Sequence, residues 1–129
     1  MNQKDDIRLV LETDAIVHPL TGIGRYVLEL LQAFSESNAI SDLRCLSRGR
    51  WYEPARVIEE GNAIAANDPR LVGKAGGPRW RRNPARAVLR RMAPYFNQRN
   101  LEKLADSHLY HSPNYRLAPF KGRKVVTFH

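Results

Sequence analysis

Apolar residues along this chain follow two rhythms. Ile7-Arg8-Leu9-Val10-Leu11 is a short, nearly continuous apolar run, the pattern of a strand buried on both faces, and it predicts β-structure over Ile7–Thr13. From Ile23 the period lengthens. Ile23, Val27, Leu30, Leu31 and Phe34 recur at spacings of three and four, so one stripe of a helix faces a sheet until Ser35-Glu36-Ser37-Asn38 ends it. Leu43 and Cys45 predict a second strand over about Asp42–Ser47. Between Arg48 and Gly77 the apolar residues Trp51, Tyr52, Val57 and Ile58 are interrupted by Gly61, Pro69, Gly73 and Gly76, which reads as short elements and loops.

Further on, Asn83-Pro84 suits the cap and first residue of a helix carrying Val88, Leu89 and Met92, with a kink at Pro94 before Tyr95, Phe96, Leu101 and Leu104. Strand character returns at Leu109-Tyr110-His111, followed by the turn-rich Ser112-Pro113-Asn114-Tyr115. Val125-Val126-Thr127-Phe128 predicts a last buried strand, in the centre of the sheet, ending at His129. Strands alternating with helices specify an α/β fold, a Rossmann-like parallel sheet flanked by helices. In such sheets ligands bind beyond the carboxyl ends of the strands, where Thr13–Gly24, His111–Tyr115 and His129 all fall.

Composition narrows the class. At 129 residues the chain is one domain or a piece of one, and 43% hydrophobic with 26% charged residues fits a globular protein. Its single cysteine, Cys45, excludes an internal disulfide framework and suits a reducing compartment. No apolar run approaches the roughly 20 residues of a membrane span, and the polar N-terminus is unlike a signal peptide. A cytoplasmic location follows as the expectation. The net charge of +8 is concentrated: from Arg70 to Lys103 the one acid is Glu102. An anionic partner is implied, whether nucleic acid, phosphorylated substrate or membrane surface. Arg82, Arg86, Arg90 and Arg91 flank Val88, Leu89 and Met92 as in an interfacial helix, a candidate contact with anionic lipid. The alternative is a small basic nucleic-acid module, with Trp80, Tyr95 and Phe96 available to stack on bases.

The candidate chemistry centres on Thr21-Gly22-Ile23-Gly24-Arg25-Tyr26. A loop with two glycines before a helix can hold a phosphate, because the first N–H groups point outward and the macrodipole adds positive charge. It is not a dinucleotide fingerprint: Val27 occupies the third glycine position, and no acid closes a second strand at the expected place. Val72-Gly73-Lys74-Ala75 lacks the first glycine and the hydroxyl residue of a P-loop. His18, His108, His111 and His129 have no zinc-like spacing, so neither a metal nor a cofactor is expected.

Ile7–Asp14, the glycine loop with its helix, Leu109–Tyr115 and Val125–His129, taken in that order, resemble the N-terminal half of retaining family 4 glycosyltransferases. The likeness is to bacterial mannosyltransferase-like members that build O-antigen and other surface polysaccharides. It implies the GT-B architecture of two Rossmann-like domains, with residues 1–129 as the acceptor-side domain and the C-terminal donor-binding domain absent. By the resemblance, Gly22, Ile23 and Gly24 approach the diphosphate of a nucleotide-sugar donor such as GDP-mannose, and His129 lies near the donor sugar as the catalytic candidate. Arg25, Tyr26, His111, Asn114 and Tyr115 are substrate-binding candidates, with a glycan or lipid-linked acceptor as the other substrate. For His111 a hydrogen-bonded structural role is the better expectation. The chain by itself is expected to be inactive, either as a truncated domain or as a non-catalytic interaction fragment. In the whole protein, replacing Gly24 by a β-branched residue is expected to abolish transfer and leave the fold intact.

Overall fold

A computed structural model describes residues 6–66, 99, 101–114 and 120–128. The candidates Arg82, Arg86, Arg90, Arg91, Tyr115 and His129 lie outside the described residues, as do the helix expected after Pro84 and the aromatic residues Trp80, Tyr95 and Phe96.

Along the chain come strand β1 (Ile7–Glu12), helix α1 (Gly22–Glu36), strands β2 (Ile40–Ser47) and β3 (Arg50–Tyr52), helix α2 (Pro54–Ala65), and strands β4 (Leu109–Ser112) and β5 (Lys124–Val126). The sheet order is β3-β2-β1-β4-β5, and every neighbouring pair is parallel except β2 and β3. This is the expected α/β fold with a mostly parallel sheet. Its middle strand is β1, because the chain crosses to β2 on one side and returns to β4 on the other.

Strand alternation sends neighbouring side chains to opposite faces, and both faces of β1 are covered. Leu11 pairs in register with Cys45 and His111. It packs with Leu31 of α1 and Val57 of α2, with Phe34 and Ile58 at the margin. Val10 points the other way, into a cluster with Leu46, Tyr110, Leu101 and Phe120. The double burial explains why Leu9–Leu11 reads as a continuous apolar run, while Ile7 and Arg8 at the start of the strand are exposed.

Two expectations need correction. The stretch after Arg48 is not merely short elements and loops. Arg48 and Gly49, both with positive φ (45° and 89°), make the two-residue turn of a hairpin joining β2 to β3. Helix α2 follows at once, with Pro54 in its first turn. Gly61 disguises this helix, since an internal glycine costs about 1 kcal/mol relative to alanine. Here it is a contact point: a Cβ at Gly61 would come within 2.6 Å of Leu28 Cδ1 on α1 and 3.2 Å of Ile16 Cγ2. Gln32 Nε2 donates to Asn62 Oδ1 across the same interface at 3.0 Å.

The second correction concerns the last strand. It is shorter than expected and is an edge of the described sheet rather than its centre, with Val125 43% and Phe128 77% exposed. Three consecutive apolar residues carry no information about which side of a sheet they will join. No helix among the described residues is long and apolar enough to cross a membrane.

Candidate functional site

The carboxyl ends of β1, β2 and β4 converge on one edge of the sheet. Because β1 is followed by β2 on one side and lies beside β4 on the other, a crevice opens there between diverging connections. It holds a cavity of about 340 Å³ lined by Glu12, Asp14, Ala15, Val17, Thr21, Ile23, Arg48 and Asn114.

Each element contributes for a local reason. Glu12 closes β1, and its carboxylate accepts a hydrogen bond from the phenol of Tyr110 on β4. Tyr110 is 1% exposed, and burial, reinforced by that carboxylate, pushes its pKa up, so the phenol stays a donor. Asp14 follows, and its Oδ1 accepts the backbone N–H of Arg48 at 2.8 Å. That bond ties the β1–α1 loop to the hairpin turn. Asn114, just beyond β4, presents a buried Oδ1 that has no hydrogen-bond partner. An orphaned buried acceptor costs about 1–3 kcal/mol unless something supplies a donor.

Thr21 caps α1. Its Oγ1 accepts the N–H of Gly24 at 3.2 Å and its carbonyl the N–H of Arg25 at 2.9 Å. This arrangement separates the two glycines. A Cβ on Gly22 would meet nothing within 4 Å, and its first-turn N–H has no partner within the helix, while its neighbours Thr21 and Ile23 line the cavity. Gly24 is buried, and a Cβ there would lie 2.5 Å from the Ala15 carbonyl oxygen and 2.9 Å from Leu20 Cδ1. The expectation that Gly24 tolerates a β-branched residue with the fold intact is therefore corrected. Its hydrogen serves the cap, and its missing side chain lets the β1–α1 loop lie against the helix.

The remaining sequence candidates are dispersed. Ile23 lines the cavity; Arg25 and Tyr26 are exposed in the first turn of α1 and do not line it. His111 lies on the helix-covered face of the sheet, 6.1 Å from the Phe34 ring, with Nε2 3.1 Å from Thr127 Oγ1. Burial pulls its pKa down, so the neutral imidazole is favoured there. Sequence reasoning missed Glu12, Asp14 and Arg48. Two acids at the end of a buried strand were the available signal, since a carboxylate beside a central strand needs a partner or a ligand. Among the described residues no group of three or more His, Cys, Asp or Glu side chains could hold a metal ion.

The opposite edge of the sheet carries another polar cluster. His108 is 4% exposed, with Nδ1 2.6 Å from Ser107 Oγ and Nε2 2.9 Å from Asp42 Oδ2. Arg44 Nε also reaches Asp42 Oδ2 at 3.1 Å. Burial raises the Asp42 pKa, but the hydrogen bonds and charges of His108 and Arg44 outweigh it, and the carboxyl is held below its ordinary value.

Fold and crevice define a Rossmann-like α/β unit with a ligand-sized hollow at its switch point. In sequence the chain is similar to the O-antigen chain mannosyltransferase B of Escherichia coli, with 28% identity over 124 residues. That alignment takes in 95% of this chain and 31% of the E. coli protein, so the chain spans about a third of the curated relative's length. No family profile and no solved structure matches the chain.

Proposed function

We propose that the chain is the N-terminal, Rossmann-like part of a retaining GT-B glycosyltransferase of family 4. In this reading the whole protein transfers mannose from GDP-mannose to a growing polysaccharide or lipid-linked acceptor. The observation that carries it is the similarity to a mannosyltransferase along 95% of the chain. The hollow at the carboxyl edge agrees with it, as an α/β sheet binds its ligands there. A nucleic-acid module is not favoured, because no comparison points to one.

The first turn of α1 would face the departing diphosphate. The N–H groups of Gly22 and Ile23, with the positive end of the helix behind them, are donors fixed before the reaction, and such donors stabilise charge developing on a leaving group. Gly24 supports them from below as the packing residue. His129 would lie near the donor sugar, and Arg82, Arg86, Arg90 and Arg91 would hold the enzyme peripherally on the anionic inner face of the membrane.

The test is transfer of labelled mannose from GDP-mannose to a lipid-linked glycan by the longest gene product that contains this chain. Formation of a mannosylated lipid supports the reading. A product that neither transfers nor hydrolyses any of a panel of nucleotide-sugars sinks it. Sedimentation with anionic vesicles at low salt tests the membrane contact separately, and protein left in the supernatant ends that part.

A further inference from the structure

Arg48 occupies a backbone position that does not suit it. At the first central residue of the β2–β3 hairpin its φ is 45°, followed by Gly49 at 89°. Turns with positive φ at both central residues favour Asn, Asp or Gly, because a longer side chain brings its Cβ against the following carbonyl. The turn is nevertheless held in place, since Asp14 Oδ1 accepts the Arg48 N–H at 2.8 Å. A strained position that its surroundings keep fixed points to function when its side chain reaches a site. This one does, for Arg48 lines the carboxyl-edge cavity.

Its charge is also uncompensated. Arg8, Arg44 and Arg56 each pair with an acid close in sequence, Asp6, Asp42 and Glu60. Among the described residues no carboxylate makes an ion pair with the Arg48 guanidinium, although Asp14 binds the same residue's backbone. The two cavity acids are turned to other donors, Glu12 to Tyr110 and Asp14 to that N–H. A guanidinium is always charged, and its planar fork of donors matches a phosphoryl group with two parallel hydrogen bonds. Thr21 and Ile23 share the lining at the positive end of α1, so a second source of positive potential adjoins it.

The geometry points to Arg48 as a specificity-determining residue of the crevice, retained in a strained turn so that its guanidinium selects ligands carrying a phosphoryl group. The inference goes beyond the transfer reading, because it needs neither a sugar nor a reaction. A nucleotide diphosphate and the pyrophosphate of a lipid carrier both offer the group. Fold and binding therefore pull in opposite directions at one residue.

Titration of the isotope-labelled chain with inorganic pyrophosphate, followed by NMR, reads the binding, and thermal denaturation reads the strain. Pyrophosphate shifts the Arg48 Nε–H and the Gly49 amide, with an affinity of about millimolar. Arg48→Asn gives the hairpin the Asn-Gly pair that such turns favour. Its melting temperature rises by about 3 °C while pyrophosphate weakens about tenfold, the loss of one hydrogen bond to a charged group. Arg48→Lys keeps the charge without the fork and falls between parent and Arg48→Asn in affinity. Arg50→Asn removes an equal charge from β3, outside the lining, and leaves the affinity within about twofold of the parent. A residue that served only the turn could not give a more stable variant with weaker binding. The inference falls if Arg48→Asn binds pyrophosphate as the parent does, if Arg50→Asn weakens it equally, or if Arg48→Asn melts below the parent. Absence of pyrophosphate binding at high concentration overturns it as well. GDP and geranyl pyrophosphate, titrated into the parent and Arg48→Asn, separate the two sources. The one that binds more tightly than pyrophosphate, and loses that advantage in the variant, carries the group. If GDP gains nothing over pyrophosphate while Arg48 keeps its effect, the nucleotide-sugar reading fails and this assignment stands.

Discussion

The two edges of the sheet use the same kinds of residue for different ends. At the amino edge, one carboxylate oxygen of Asp42 takes bonds from both His108 and Arg44, and the imidazole is engaged at each nitrogen. That cluster is saturated; it staples β2 to the turn before β4 across the end of β1. At the carboxyl edge, Glu12 and Asp14 each have a donor, yet the hollow between them stays open and Asn114 keeps an acceptor with nothing to accept. A polar cluster whose groups are all satisfied is a fastening. One that keeps an unsatisfied buried acceptor beside open space is a place for a ligand. Burial alone does not tell them apart, since His108 is as buried as many core residues.

The sharpest way to break the comparison is at Gly24. Gly24→Val pushes a branched side chain into the Ala15 carbonyl and should cost about 1–3 kcal/mol or more, as overpacking does against backbone that cannot yield. Thermal denaturation measures it, and a variant as stable as the parent would remove the packing role. His108→Ala comes next. It leaves Asp42 with Arg44 alone and should lower stability by about 2 kcal/mol in a denaturant titration, with the amide resonances of Asp14 and Asn114 unmoved. Shifts at the carboxyl edge would mean that the two edges are coupled.

Tyr110→Phe should cost about 1 kcal/mol in the same denaturant titration, because it takes the phenol donor away from the Glu12 carboxylate. A smaller effect belongs to pH. Burial holds the folded-state pKa of His111 below its ordinary 6.5, so on acidification the unfolded chain takes up its proton first. Stability contributed by the neutral ring is therefore present above that value and falls as the pH drops through it. His111→Gln should flatten this part of the pH–stability curve. Smallest of all, Gly22→Ala meets empty space and should leave stability, read by thermal denaturation, within the scatter of surface substitutions, about 0.5 kcal/mol.

The sequence was most readable where one period ran uninterrupted. β1 and α1 lie within two residues of their expected limits, because a doubly buried strand and a one-sided helix have distinct periods. α2 was hidden by Gly61, whose reason for being glycine is a side chain on another helix, Leu28. β5 looked central because Val125, Val126 and Phe128 are apolar, yet strand order depends on pairings made far along the chain. Within the site, the glycine loop and Asn114 were visible as a turn-rich ligand edge. Glu12, Asp14 and Arg48 come together only through the hairpin turn and the bond from Arg48 to Asp14, and no local spacing encodes that contact. The division of labour between Gly22 and Gly24 was equally illegible, since two glycines two residues apart differ only in what surrounds them.

The strand order also has a kinetic consequence. β2, β3 and α2 join residues close in sequence through a two-residue turn, so they can form early and cheaply. β4 must instead find β1 with Leu109 opposite Leu9, closing a loop of about a hundred residues before any contact rewards the search. Docking of β4 is thus the slow event in assembly, and the hollow at the carboxyl edge, with Asn114 on one bank and Glu12 on the other, is completed only then. A nascent chain that has emerged as far as α2 already owns the helix and its cap, but not yet a binding site.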